Sequence, residues 1–149
     1  MKTLFDTSVL VPALIAQLPQ HAACRRWLDR AIAGEFDWCV SSHTLAELYA
    51  SMTELPVAPR IQPEEARDLI RANIIGHAKV VALSADDYLE VIDSLATDGL
   101  RGGVTYDALI FRAAIKAKVQ RLLTLNTRHF ARMAHGQAVK VLSPSPNAT

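Results

Sequence analysis

The sequence predicts an α/β domain, a three-layer α/β/α sandwich with a mostly parallel central sheet. Three observations carry this. Short apolar runs at Leu4-Phe5, Trp38 to Val40, Val80 to Leu83, Leu122 to Leu125 and Val139 to Leu142 have the length of buried strands. Stretches with apolar residues at helical spacing separate most of them, and parallel strands need such crossovers. A chain of 149 residues can bury a full core as one domain, without disulfides or a structural metal.

Leu4 and Phe5 end a first strand, and Asp6 follows, with Thr7 or Ser8 as N-cap of an apolar helix that stops near Pro19. From His21 to Ala33, Cys24, Trp27, Leu28, Ala31 and Ile32 recur on one helical face, and Gly34 stops that helix. Trp38 to Val40 is the next strand. Ser41 to Thr44 then supply hydroxyls ahead of a helix whose apolar face holds Leu45, Leu48, Tyr49 and Met52. Pro56, Pro59 and Pro63 bracket a loop, and Pro63-Glu64-Glu65 opens a helix that Gly76 ends.

The third strand runs from Val80 to Leu83. Ser84 and Asp87 form a capping pair for a helix through Tyr88, Val91, Ile92 and Leu95 towards Gly99. After Gly102-Gly103 a helix spans about Thr105 to Lys118, followed by strand Leu122 to Leu125, a short polar turn and strand Val139 to Leu142. Residues 1–142 are read as the domain and 143–149 as a disordered tail.

Half the residues are hydrophobic, but no apolar run approaches the ~20 residues of a membrane span, so no membrane is expected as partner. The start carries an acid at position six and no secretory signal, which places the protein in the cytoplasm. Cys24 and Cys39 suit reduced core thiols, and the five histidines are too scattered for a zinc site. There is no glycine-rich phosphate loop. Charge is uneven: all fifteen Asp and Glu lie at or before Asp107, while Arg112, Lys116, Lys118, Arg121, Arg128, Arg132 and Lys140 follow it. This asymmetry suits an anionic partner, although a solvated helix face would read the same way.

Three acids fit a plain surface role poorly. Asp6 follows a strand, at the carboxyl edge where ligands bind in open α/β sheets, or else it starts the next helix as an Asx-type cap. Glu47, in Thr44-Leu45-Ala46-Glu47, has the spacing of a capping box, which accounts for it without function; the small-residue side it shares with Ala46 and Ala50 would also suit a crowded cleft. Asp107 shares a helical stripe with Ile110, Phe111 and Ala114, so its carboxylate leans to the apolar side, as a helix-dipole partner or a metal ligand.

Four segments in order, Phe5-Asp6-Thr7-Ser8-Val9-Leu10, Leu45-Ala46-Glu47-Leu48, Gly103-Val104-Thr105-Tyr106-Asp107-Ala108-Leu109-Ile110 and Leu123-Thr124-Leu125-Asn126-Thr127-Arg128-His129-Phe130, resemble the PIN-domain ribonucleases. Within that family the chain is similar to the VapC-type toxins of bacterial toxin–antitoxin pairs, from Leu4 to about Leu142. The resemblance implies that Asp6, Glu47 and Asp107 are the catalytic, metal-binding acids for Mg2+ or Mn2+, with Ser8 and Thr124 orienting them. It also implies an RNA substrate, a cognate antitoxin and a homodimer. Asn126 stands where many relatives have aspartate; its neutral carbonyl oxygen can still serve as an auxiliary metal ligand. Arg112, Lys116, Arg128 and Arg132 become candidates for RNA phosphates. The competing reading is a catalytically silent PIN-fold module that binds RNA or protein. A haloacid-dehalogenase-type phosphatase would need an acid where Ser8 stands.

Overall fold

A computed structural model describes residues 1–145, and the end of the expected tail, residues 146–149, lies outside the described residues. Five parallel strands, β1 (Thr3–Phe5), β2 (Trp38–Ser41), β3 (Lys79–Val81), β4 (Arg121–Leu123) and β5 (Lys140–Leu142), form one sheet in the order β3-β2-β1-β4-β5. Helices α1 (Thr7–Leu14), α2 (His21–Ile32), α3 (Ser42–Glu54), α4 (Pro63–Asn73), α5 (Ala85–Thr97), α6 (Val104–Lys116) and α7 (Thr127–Ala134) join them.

Strand alternation sorts the side chains between two layers. Phe5, Val40 and Leu123 point into one, where Leu10, Leu28, Leu48 and Ala66 of α1 to α4 cover them. Leu4, Cys39 and Leu122 point into the other, against Ile110 and Ala114 of α6 and Phe130 of α7. Register follows from this pattern, Leu4 opposite Leu122 and Phe5 opposite Leu123. The sandwich and parallel sheet agree with the sequence expectation. Among the described residues no helix is long and apolar enough to cross a membrane.

The elements differ from expectation at three places that matter. Asp6 itself, not Thr7 or Ser8, is the N-cap of α1, which ends at Leu14 rather than near Pro19. Ser41 caps α3, its hydroxyl accepting from the His43 amide, so Thr44 lies inside the helix and Thr44 to Glu47 is not a capping box. The polar turn expected between the last two strands is a helix, α7.

At α5 the expected capping pair is present. The Asp87 amide donates to Ser84 Oγ at 3.1 Å, and the Ser84 amide donates to Asp87 Oδ2 at 2.9 Å. Lys116 Nζ at 2.8 Å and Arg112 Nη2 at 3.0 Å reach the same buried carboxylate from α6. Lys116, the Ser84 amide and Arg112 hold the Asp87 carboxyl well below the usual carboxylate range. A depressed native pKa means that the unfolded chain binds the proton more tightly, so this stabilisation is present above about pH 4 and is lost as pH falls through the native value. Asp87→Asn is therefore expected to lower the melting temperature at pH 7, with the deficit shrinking towards pH 3. Thermal melts across that range check it, and a deficit independent of pH would refute it.

Candidate active site

The chain lays β1 to β3 outward on one side, then returns to place β4 on the other side of β1, so the strand order reverses between β1 and β4. The crevice at the carboxyl ends of these two strands is where an open α/β sheet binds ligands. Asp6 leaves β1 at that point. Its amide donates to Leu123 O at 3.0 Å, and its carbonyl accepts from the Val9 and Leu10 amides, starting α1. The Asp6 side chain takes no part in capping.

Instead the carboxylate accepts two hydroxyl hydrogen bonds on Oδ2, from Ser8 Oγ at 2.6 Å and Thr124 Oγ1 at 2.8 Å. Each hydroxyl is oriented in turn: Ser8 Oγ accepts from the Leu125 amide at 3.0 Å, and Thr124 Oγ1 accepts from the Asn126 amide at 2.9 Å. Neither hydroxyl occupies Oδ1. Asp6 is only 3% exposed, and burial raises its pKa against the opposing pull of these hydroxyls, with the charge of Asp107 adding to the rise.

Glu47 projects from the second turn of α3. Its Oε1 accepts from Thr7 Oγ1 at 3.1 Å and stands 3.5 Å from His43 Nε2. Burial again raises the pKa first; His43 and Thr7 oppose it, while Asp6 and Asp107 push it further up. Asp107 comes from the first turn of α6, half-buried, with Oδ2 at 3.1 Å from His129 Nδ1. The charge of Asp107 thus reaches both Asp6 and Glu47, and that of Asp6 reaches Glu47. Among the described residues no three His, Cys, Asp or Glu side chains close into a metal cage. The donor set is all hard oxygen and open, which fits a magnesium-class ion that keeps part of its water shell rather than one caged by protein.

Asn126 caps α7 by position, with its side chain free of any capping bond. Together with Arg128, His129 and Arg132 it borders a recess that Asp107, alone of the three acids, also lines. Arg128 and Arg132 are exposed there. The structure does not bring Arg112 and Lys116 to this recess: Asp87 holds both, and Glu90 also pairs with Arg112. Sequence reasoning passed over Thr7, His43 and His129, each of which touches one of the three acids. Thr7 and His129 lie inside the segments that carried the resemblance, and that adjacency was the available signal.

The family profile described as PIN domain matches residues 3–136. The ribonuclease VapC40 of Mycobacterium tuberculosis is 34% identical over 123 residues, covering 83% of this chain and 85% of that protein. VapC27 of the same species is 31% identical over 115 residues, covering 77% and 78%. Among solved structures, VapC20 of M. tuberculosis, described as a sarcin-ricin loop cleaving toxin, superposes with a TM-score of 0.69 at 18% identity, over 87% of this chain and 94% of that one. VapBC2 from Rickettsia felis, bound to a promoter DNA fragment, gives 0.67 at 21% identity, over 96% and 98%. With the profile match spanning residues 3–136 and relatives of 34% and 31% identity named as VapC ribonucleases, the chain belongs to the PIN-domain family, among the VapC ribonucleases.

Proposed function

We propose that the protein is a divalent-metal-dependent endoribonuclease, the toxin of a toxin–antitoxin pair, with Asp6, Glu47 and Asp107 as its catalytic acids. The observation that carries this is the convergence of three carboxylates, one of them buried, at the sheet's switch point. Burial raises the pKa of Asp6 and Glu47, the charge of neighbouring acids adds to the rise, and a bound cation would ease both. Asp6 and Asp107 would hold Mg2+ or Mn2+ directly, Glu47 directly or through water, and Asn126 as a neutral auxiliary. A bound divalent ion acidifies water and offsets the charge of a phosphodiester.

The chain's own groups prepare that chemistry. Ser8 and Thr124 fix the Asp6 carboxylate, Thr7 fixes Glu47, and His129 braces Asp107. With three acids and a neutral Asn126, one ion is matched to the free enzyme, and a second would arrive with the RNA phosphate. A cognate antitoxin as inhibitor completes the reading, supported by relatives named as VapC ribonucleases and a neighbour named as VapBC2, and with it go a homodimeric state and a cytoplasmic location.

Incubation of the purified protein with total cellular RNA in Mg2+, Mn2+ or EDTA tests the activity. Fragments are expected with either metal and none with EDTA. RNA binding without cleavage under every metal condition would instead favour a catalytically silent RNA-binding module.

Arg128 and Arg132, exposed at the recess beside Asp107, are the cations expected to meet the substrate backbone. Each phosphate contact contributes about −0.7 to the slope of log affinity against log salt for single strands. Converting both to alanine is expected to flatten that slope by about 1.4, whereas Arg112→Ala with Lys116→Ala leaves it unchanged. A salt titration of RNA binding separates the two pairs.

A further inference from the structure

We propose that Tyr106, stacked on His43, is a platform for one RNA base beside the acids; this rests on the ribonuclease reading above. The two rings lie 5.2 Å apart between centroids and 4° from parallel, an offset stack. The pair bridges α3, which carries Glu47, and α6, which carries Asp107. Tyr106 immediately precedes Asp107 in α6, and the His43 imidazole stands 3.5 Å from Glu47 in α3.

Tyr106 is nonetheless 52% exposed, although the same helix buries Leu109, Ile110, Phe111, Ala113 and Ala114. A ring with one face braced by an imidazole and half its surface in water is a flat support held at a fixed distance from the carboxylates. The brace matters for affinity, because a ring already immobilised loses little freedom when a base lands on it.

The other groups at the site address something else. Asp6, Glu47 and Asp107 suit a cation, and Arg128 and Arg132 suit phosphate. The recess that holds the two arginines borders Asp107 without including Tyr106. Phosphate contacts and base contact therefore fall on separate surfaces of one site. A stacking platform selects single-stranded RNA, whose bases can be splayed out, over duplex, whose bases already stack on one another; it accepts any base, because each has a π face.

The competing account is that the stack is only packing between α3 and α6. Binding of a single-stranded RNA octamer, and of a fully abasic ribose-phosphate chain of equal length, separates the two. Both are measured at fixed pH with calcium in place of magnesium. Tyr106→Leu is expected to weaken octamer binding about tenfold, the scale of one base–aromatic stack, with no change for the abasic chain. Tyr106→Trp is expected to keep octamer affinity. Equal loss on both chains, or no loss on either, overturns the platform while the ribonuclease reading stands. Failure of the unmodified protein to bind the octamer also overturns the platform, while the ribonuclease reading stands or falls on the cleavage of total RNA described above.

Discussion

Asp6→Asn is expected to lower RNA cleavage about a thousandfold or more, since several kcal/mol of metal-derived charge stabilisation would go with the carboxylate. The fold should survive the change. An amide oxygen can still accept from Ser8 and Thr124, and the buried charge that conflicts with Asp107 is removed. The sign of the stability effect follows from the raised pKa. The native state binds this proton more tightly than the unfolded chain does, so the wild-type carboxylate is harmless below about pH 4 and destabilises increasingly as pH rises from there through the raised native value. In EDTA the variant should therefore melt like wild type near pH 4 and above it at pH 7. Magnesium should reverse the order at pH 7 by stabilising wild type alone. Single-turnover cleavage together with melts at the two pH values checks this, and a fully active variant would remove Asp6 from the mechanism.

Phe130→Ala is expected to destabilise the domain by about 3–5 kcal/mol, the usual range for deleting a fully buried phenylalanine. That is a large fraction of the roughly 5–15 kcal/mol that holds a typical domain together. Phe130 has no exposed surface and is the one fully buried side chain of α7, packed in the layer that holds Leu4, Ile110 and Leu122. The damage should reach the site, because α7 also carries Arg128, His129 and Arg132. Urea unfolding gives the stability change, and RNA affinity of the residual folded fraction gives the second effect. A loss under about 1 kcal/mol would show that α7 is held by something other than this ring.

Much of this was legible in the sequence, and the misses have identifiable physical causes. Strands and long helices were readable because burial imposes their periods directly: Leu4-Phe5 and Leu122-Leu123 are apolar on both faces since helices cover both. Helix α7 escaped although Phe130, Met133 and Ala134 mark an apolar side, because eight residues are shorter than the stretch of about 11–18 over which helical periodicity is read. Yet β4 and β5 are parallel, and a parallel pair cannot be joined by a turn, so topology demanded a crossover there. Glu47 was obscured by local chemistry. Ser41, Ser42 and Thr44 all offer a hydroxyl, and only the backbone decides that Ser41 caps, which frees Glu47 to meet Thr7. The count of cations after Asp107 was correct, but counting cannot see that Asp87 and Glu90 of α5 face two of them. Tertiary pairing, absent from any one-dimensional pattern, separates Arg112 and Lys116 from Arg128 and Arg132.

The hydrogen bond from Thr124 to Asp6 joins residues 118 positions apart, and Asp107 arrives only shortly before Thr124. At ~5–20 residues per second, a ribosome that has just made Asp6 needs roughly 6 to 24 s to reach its hydroxyl partner. For all that time the nascent chain carries one acid of the set without the strand that positions it. If Asp6 acts as proposed and needs this partner, a ribonuclease made among the messages it would cut stays inert until the last stretch of its own translation. An inhibitor translated ahead of it would then be folded and present before the first competent site exists.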